Sequence, residues 1–256
     1  MNNNKKLLIF VIAFSLLYIL ISIIYNLPSG EKFNKTVFLG SSTKIQINGK
    51  DITVKNDDTK IKKQKVKIYY KNKFIDGYIF NKNADSSGVD NNYSVVNNNG
   101  ENILLDSPLV AHTLDLSIEV LNSETIDYVD IKDVYKFAAE ENIELSDSIT
   151  LNFSNIKEFD YDGEKIYIYS IGIVEDETNY YSIVFMKKND KYYLIDRADS
   201  EYLDVNRVGL NFFNIIDFNN DGNYEFVVEK MMSEYGPNYY ELYNFDGSKF
   251  IKIGGE

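Results

Sequence analysis

The longest apolar stretch of the chain lies near its start. Residues 7–27 contain no charged side chain, and their polar members are Ser, Tyr and one terminal Asn. These twenty-one residues, at a helical rise of about 1.5 Å each, cover roughly 30 Å, the thickness of the hydrocarbon core of a bilayer. The stretch therefore predicts one transmembrane helix. A late-cleaved signal peptide is the alternative, because Pro28, Ser29 and Gly30 follow the apolar residues.

From residue 43 onward, apolar and polar positions mostly alternate, and this period of two predicts β-strands. The clearest hairpin signal is the Asn48-Gly49 pair, which separates the alternating residues 45–47 from residues 52–54. Residues 81–101 are rich in Asn, Ser, Asp and Gly and predict mainly loop. Further strands are expected at residues 66–70, 74–80 and 114–120.

One segment follows a helical period instead. Asp130 suits the N-cap, Asp133 suits the first turn, and the helix is expected to fade by Asn142. The apolar face predicted for this helix comprises Ile131, Val134, Tyr135 and Ala138.

The last hundred residues contain an internal repeat. Residues 156–173 are similar to residues 215–232, at an offset of 59 positions. Each copy predicts about four antiparallel strands, which is the size of a propeller blade. The same offset aligns Phe159 with Phe218, Asp162-Gly163 with Asp221-Gly222, and Asn179-Tyr180-Tyr181 with Asn238-Tyr239-Tyr240.

These patterns together predict a mainly β protein with a minor α component, in three parts. Residues 1–28 form an N-terminal tip and a membrane anchor. Residues 29–148 form a β-rich domain with a basic hairpin and one helix, and residues 149–256 form the two repeats.

The second copy of the repeat carries a loop rich in oxygen donors. Ca²⁺ takes six to eight oxygen ligands, so alternate residues of a tight loop can converge on one ion. Gly222 stands where a sharp turn needs a positive φ. An EF-hand is excluded, because its twelfth position is Val228 and the flanking residues predict strands. The candidate ligands are Asp217, Asn219, Asp221, Asn223 through its backbone carbonyl, and Glu225.

In its strand context this loop resembles the DxDxDGxxD-type calcium loop of FG-GAP and VCBS repeats, the blades of integrin-α-like β-propellers. Residues 243–253 also resemble the last strand pair of such blades. The resemblance covers roughly residues 150–256 and implies calcium at the second copy. The first copy keeps Glu158, Asp160 and Asp162, but Ile166 replaces the last carboxylate, so it is a degenerate candidate loop.

Composition and charge narrow the classes of function. The chain has no Cys, which excludes disulfides and thiolate metal sites. Net charge is −12, divided into +10 over residues 1–75 and −22 over residues 76–256. The basic residues 60–73 have two interpretations. They either bind anionic lipids or cell-wall polyanions, or they form the solvent-exposed face of a hairpin. The acidic remainder argues against nucleic-acid binding.

Frequent Asn, Lys, Ile and Tyr indicate an AT-rich, low-GC bacterial source.

No catalytic constellation stands out in the sequence. His112 is the only histidine, and a structural or surface role is expected for it. A pair of carboxylates suited to sugar hydrolysis is not recognisable among 39 acidic residues. Tyr180 and Tyr239 belong to tyrosine pairs that either bind sugars or a protein surface, or simply cover a sheet.

These observations predict a non-catalytic, calcium-stabilised ectodomain that is held at a bacterial surface by a single-pass anchor and binds a protein or a cell-wall glycan. Two alternatives stay open: a membrane-tethered hydrolase of wall polymers that uses carboxylates, and a structural subunit of an envelope complex. Lysines flank both ends of the apolar stretch and leave its orientation undecided. A calcium loop suits calcium-rich exterior fluid, which favours a cytoplasmic N-terminus and an extracytoplasmic β domain.

Overall fold

The computed structural model describes residues 35–40, 43–56, 63–70, 72–80, 94–101, 103, 110–126, 128–146, 149–175, 179–201, 208–231 and 238–254. The transmembrane helix predicted at residues 7–27 lies outside these ranges. Within them, no helix has both the length and the apolar character needed to cross a bilayer.

Seven strands of the N-terminal half form one antiparallel sheet, here called the first sheet. Its strand order is β3-β2-β1-β7-β4-β5-β6. The strands are β1 (Thr36–Leu39), β2 (Thr43–Asn48), β3 (Asp51–Asn56), β4 (Gln64–Tyr70), β5 (Lys73–Phe80), β6 (Ser94–Asn97) and β7 (Val110–Thr113).

Residues 119–126 and the C-terminal half form two five-stranded antiparallel sheets. The second sheet is a meander, β10 to β13, with β9 paired to its edge, and the third sheet is a meander, β14 to β17, with β8 at its edge. The second sheet contains β9 (Ser123–Ile126), β10 (Ile149–Tyr161), β11 (Glu164–Glu175), β12 (Asn179–Lys188) and β13 (Lys191–Glu201). The third contains β8 (Glu119–Val120), β14 (Gly209–Asp217), β15 (Glu225–Met231), β16 (Tyr239–Phe245) and β17 (Phe250–Gly254).

The three sheets pack as layers with the third sheet in the middle. One apolar cluster joins Val37 and Leu39 of the first sheet to Phe213 and Leu242 of the third. A second cluster packs the other face of the third sheet on the second sheet, and includes an edge-to-face contact of Phe159 with Phe212. The third sheet is therefore buried on both faces, which explains the continuous burial of Phe226, Val227 and Val228.

The single helix of the described residues, α1 (Ile131–Glu140), covers the outer face of the second sheet. The Asp130 carboxylate caps it by accepting a hydrogen bond from the backbone N–H of Lys132 at 3.0 Å. The predicted cap and extent are confirmed, but the predicted apolar face is wrong at one position. Phe137 is buried and stacks on Phe185 with ring centroids 4.1 Å apart, whereas Ile131 is exposed.

The prediction of a mainly antiparallel β protein with one helix is confirmed, with local corrections. The strand predicted at residues 114–120 is wrong, because only Glu119 and Val120 pair with β14. Residues 94–97, predicted as loop, form β6 beside β5. The first hairpin turns at Gly49 and Lys50, since Asn48 still pairs with Asp51. Gly49 has φ 65°, a conformation suited to the first position of a tight hairpin turn.

Candidate metal site

The oxygen-rich loop connects β14 to β15, and its two end residues are carboxylates buried in the protein. Asp217 ends β14 and is 2 % exposed, and Glu225 begins β15 and is 3 % exposed. Between them the backbone turns through two positive φ angles, 56° at Asn220 and 83° at Gly222. Gly222 accordingly takes a conformation that only glycine adopts without strain.

The Asp217 carboxylate organises the backbone of the loop. Its Oδ1 accepts the N–H groups of Asn219 at 3.3 Å and Asp221 at 3.1 Å. Its Oδ2 accepts the N–H of Gly222 at 2.8 Å. Because these donors belong to neighbouring residues, the backbone of the loop is wrapped around this one buried side chain.

Asp221 lies on the exposed rim of the loop, where two side-chain amides surround it. Oδ1 accepts from the backbone N–H and the side-chain amide of Asn223, at 2.9 and 3.0 Å. Oδ2 accepts from Nδ2 of Asn219 at 3.1 Å. The hydrogen bonds from Asn223 and Asn219 hold the pKa of Asp221 below its usual value, so this carboxylate is ionised.

Glu225 has the most unfavourable electrostatic environment of the loop. Burial raises the pKa of its carboxyl to about 8, even though Oε2 accepts the N–H of Phe218 at 3.3 Å. The nearby carboxylates of Asp217 and Asp221 raise this pKa further. Among the described residues, no Lys or Arg forms an ion pair with Asp217 or Glu225. The two buried carboxyl groups at the ends of the loop are thus left without a cationic ion-pair partner in the described part of the chain.

The donor chemistry of the loop fits a hard divalent cation, while its present geometry is not that of a preformed site. Carboxylate, amide and backbone carbonyl oxygens are the ligands that Ca²⁺ takes. However, the described residues hold no group of three or more converging Asp, Glu, His or Cys side chains. Asn219 and Asn223 direct their amide nitrogens at Asp221, so ion binding requires these side chains to turn.

The corresponding segment of the first copy is a tight hairpin and not an open loop. Tyr161 pairs with Glu164, which leaves Asp162 and Gly163 as a two-residue turn with φ angles of 55° and 73°. Glu158 lies within β10, where the ammonium group of Lys165 binds its carboxylate. Asp160 is exposed on the same strand. The structure therefore does not bring Glu158, Asp160 and Asp162 together in a loop like that of the second copy.

A groove of about 610 Å³ opens beside the oxygen-rich loop. It lies where the β2–β3 turn, the β14–β15 loop and the end of β17 meet. We call it the β3–β17 groove. Its lining includes Ile52, Ile251 and Ile253, and also the acidic residues Asp51, Asp221, Glu225 and Asp246. Sequence reasoning missed this groove, because its walls come from four distant parts of the chain: residues 50–52, 161, 219–225 and 244–253.

The other predicted functional residues lie mostly inside the fold. His112 is buried in β7 against the ring of Phe74, with Nδ1 2.8 Å from the carbonyl oxygen of Thr113. Burial lowers its pKa. Tyr180 is also buried, so its ring is not available for a surface contact, while Tyr239 is half-buried.

The described part of the basic run forms the solvent-facing side of a hairpin. Lys67 Nζ pairs with Asp76 of the neighbouring strand at 2.6 Å. Lys63 Nζ lies 4.7 Å from the ring centroid of Tyr78, and Lys65 is exposed. Residues 60–62 and 71 of this run lie outside the described residues.

A buried ionic cluster holds the strands of the third sheet together, and nothing in the sequence indicated it. The Glu241 carboxylate is almost fully buried and accepts from Lys230 Nζ at 2.9 Å, Lys252 Nζ at 2.6 Å and the Tyr243 hydroxyl at 2.7 Å. Asp196 lies close by, and burial raises its pKa. Because lysines already neutralise Glu241, this carboxylate is a structural element of the sheet.

Comparison of the chain with protein-family models, with curated proteins and with solved structures found no match.

Proposed function

We propose that this chain is a non-catalytic, calcium-stabilised binding protein whose β domain is anchored outside the cell membrane by residues 7–27. The observation that carries the proposal is the pair of buried carboxylates, Asp217 and Glu225, at the two ends of one loop without a lysine or arginine partner among the described residues. A calcium ion bound in the loop would offset its negative charge and favour the ionised form of Glu225.

Asp217, Asn219, Asp221 and Glu225 are the side chains that would hold the ion, with the carbonyl of Asn223 as a further ligand. Binding ties the end of β14 to the start of β15 across the middle layer of the protein. Because both faces of that layer are packed, stabilising this connection stabilises the contacts to the first and second sheets as well.

The uncharged stretch at residues 7–27 supports the anchor, and the calcium loop supports an extracytoplasmic β domain. Calcium sites of extracellular modules are commonly weak, because calcium is abundant there. A weak site on the cytoplasmic side would stay empty. The orientation proposed here therefore depends on the calcium proposal.

The test is thermal unfolding of the full chain in detergent, with millimolar calcium or with chelator. We expect calcium to raise the Tm of the wild type by about 5 °C or more, and Asp221→Asn to abolish the rise. Asp221 suits this variant because it is exposed, so the fold does not depend on its burial.

Asp162→Asn is the matched control, since Asp162 is the aligned residue of the first copy and lies in a two-residue turn. This variant should keep the full calcium response. Equal Tm values with calcium and chelator in the wild type, or an equal loss of response in both variants, would contradict the proposal.

A membrane-tethered hydrolase acting on wall polymers is the second candidate, and the acidic β3–β17 groove is the observation that favours it. Carboxylates on both sides of a groove are the arrangement that glycoside hydrolysis uses. Release of reducing sugars from purified cell-wall glycan by the full chain would support this candidate. No release by the wild type under conditions where it is folded excludes it for that polymer.

A further inference from the structure

The β3–β17 groove is a gap between two sheet edges. β3 is the terminal strand of the first sheet, and β17 is the terminal strand of the third. The two sheets meet closely at one end of the gap, where a Cβ atom on Gly254 would lie 2.4 Å from Cγ2 of Val54. Towards the β2–β3 turn they separate, and the groove fills the space between them.

The lining of the groove is apolar where the two edge strands face each other. Ile251 and Ile253 are 44 % and 37 % exposed, and both belong to β17. Ile52 of β3 lines the opposite side and packs on the apolar cluster that joins the two sheets. An added apolar side chain in the groove would extend this cluster and remove isoleucine surface from water.

Strand β17 lacks the electrostatic protection that edge strands usually carry. A lysine on an edge strand discourages pairing, because the pairing strand would bury its charge. The one lysine of β17, Lys252, already donates to the buried Glu241 carboxylate at 2.6 Å. A strand that pairs with β17 therefore does not bury a lysine charge that lacks an ion-pair partner.

The rim of the groove is negatively charged. Asp51, Asp221 and Asp246 line it as exposed carboxylates, and Lys50 is the only basic residue that lines it in the part of the chain that the structure describes. Charge complementarity selects a partner that carries basic side chains next to its apolar ones.

We propose that the groove binds an extended peptide segment of a partner protein, in which basic residues alternate with apolar residues, by adding it as a strand to β17. The apolar side chains lie beside Ile251 and Ile253 and towards Ile52, and the negative charge of the rim attracts the basic peptide as a whole. Main-chain hydrogen bonds to an edge strand give affinity, and alternate side chains give specificity. The inference rests on the proposed binding function, but it does not require the calcium ion.

The experiment measures binding of fluorescein-labelled peptides to the full chain in zwitterionic detergent, with chelator present. The probes are Val-Lys-Val-Lys-Val, Val-Glu-Val-Glu-Val and a copy of the first peptide with N-methylated backbone amides, all with blocked ends. We expect the lysine peptide to bind at least tenfold more tightly than the glutamate peptide. N-methylation should weaken its binding at least tenfold, because it removes the donors of the strand ladder.

Ile251→Lys tests the site, and Leu114→Lys is its matched control. Leu114 is 52 % exposed in the turn after β7 and does not line the groove. The first variant should lose at least tenfold in affinity for the lysine peptide, and the second should stay within twofold.

Equal affinity for the lysine and glutamate peptides, unchanged affinity after N-methylation, equal losses in the two variants, or no binding at all overturns the inference. Repeating the titration in calcium separates it from the proposed function. If the chain responds to calcium but binds no peptide, the proposed calcium site stands and the proposed peptide groove is wrong. If it binds the peptide but does not respond to calcium, only the proposed groove stands.

Discussion

Lys157 is a half-buried lysine between the second and third sheets. It lies in β10, and its Nζ donates to the carbonyl oxygen of Phe213 in β14 at 2.6 Å. Burial lowers its pKa to about 8, although the Glu229 carboxylate acts in the opposite direction. The side chain therefore connects the second and third sheets, but burial disfavours the charged form of its amino group.

This pKa predicts a pH dependence of stability. Between pH 8 and about 10.5, the unfolded chain keeps a proton on Lys157 that the folded chain has released, so stability rises with pH. Relative to Lys157→Met, the wild type should gain up to about 3 kcal/mol in free energy of unfolding across this range. Denaturant melts at pH 7.5 and pH 10.5 measure the difference. Lys191→Met, at an exposed position, is the control, and it should show the same gain as the wild type relative to Lys157→Met.

At the scale of single residues, the sequence predicted which side chains are buried better than it predicted which residues they contact. The predicted alternation appears as burial only over residues 117–120, where Ile118 and Val120 are buried and Ser117 and Glu119 are exposed, whereas Leu114 is exposed. Alternation indicates which side chains face the core, whereas strand pairing needs a neighbouring backbone, and among the described residues only Glu119 and Val120 of this segment pair with one. The Lys157 and Glu241 contacts join residues 56 and 11 positions away, and no local pattern encodes them.

At the scale of elements, helix α1 is held to the second sheet by its first turn as well as by its apolar face. Asp133 accepts hydrogen bonds from the hydroxyls of Tyr192 at 2.6 Å and Tyr169 at 2.7 Å, and from Lys187 Nζ at 3.0 Å. Burial alone would raise the pKa of Asp133, but these three donors together lower it. One carboxylate thus joins the helix to three strands.

Two aspartates of this helix should therefore differ in their contribution to stability. Asp133→Ala leaves three partly buried donors without an acceptor and should cost about 2–4 kcal/mol. Asp130→Ala removes only the N-cap hydrogen bond and should cost about 1 kcal/mol. Denaturant melts of both variants measure these costs. Equal costs would show that the tyrosine and lysine contacts of Asp133 add nothing.

The start of α1 was predictable because an N-cap is a local signal, and Val134 and Ala138 of the predicted face are buried, but the place of Phe137 was not predictable. The helical period predicted that Ile131 is buried against the core. Phe137 is buried at the centre of this contact instead, because its ring stacks on the ring of Phe185 in β12. The same limit applies to the candidate metal loop. Its donors follow from their spacing, while the burial of Asp217 and Glu225 follows from the two sheets packed around β14 and β15.

On the scale of the whole molecule, the layered β fold contains both features proposed to act. The oxygen-rich loop and the β3–β17 groove share the candidate ligands Asn219, Asp221, Asn223 and Glu225 and lie at one end of the middle sheet. A calcium ion in the loop would reduce the negative charge of the groove. We therefore expect calcium to weaken binding of the lysine peptide by a few fold.

The proposed orientation makes a separate prediction for the intact cell. Protease added outside cells that express the full chain should degrade the β domain, while a cytoplasmic marker stays intact. Chelator should speed this cleavage, because the calcium-free domain opens more often. Cleavage only after the cells are lysed would place the domain inside and contradict the orientation.

The most direct measurement is terbium luminescence of the full chain, excited through tyrosine, because the chain contains no Trp. Tyr224 is adjacent to Glu225 and its ring contacts that of Tyr161, so the loop has its own sensitisers. We predict a rise that saturates at one ion per chain, is reversed by calcium, is lost in Asp221→Asn and is kept in Asp162→Asn. Absence of saturable emission in the wild type, or equal emission from both variants, would contradict the calcium site on which this account depends.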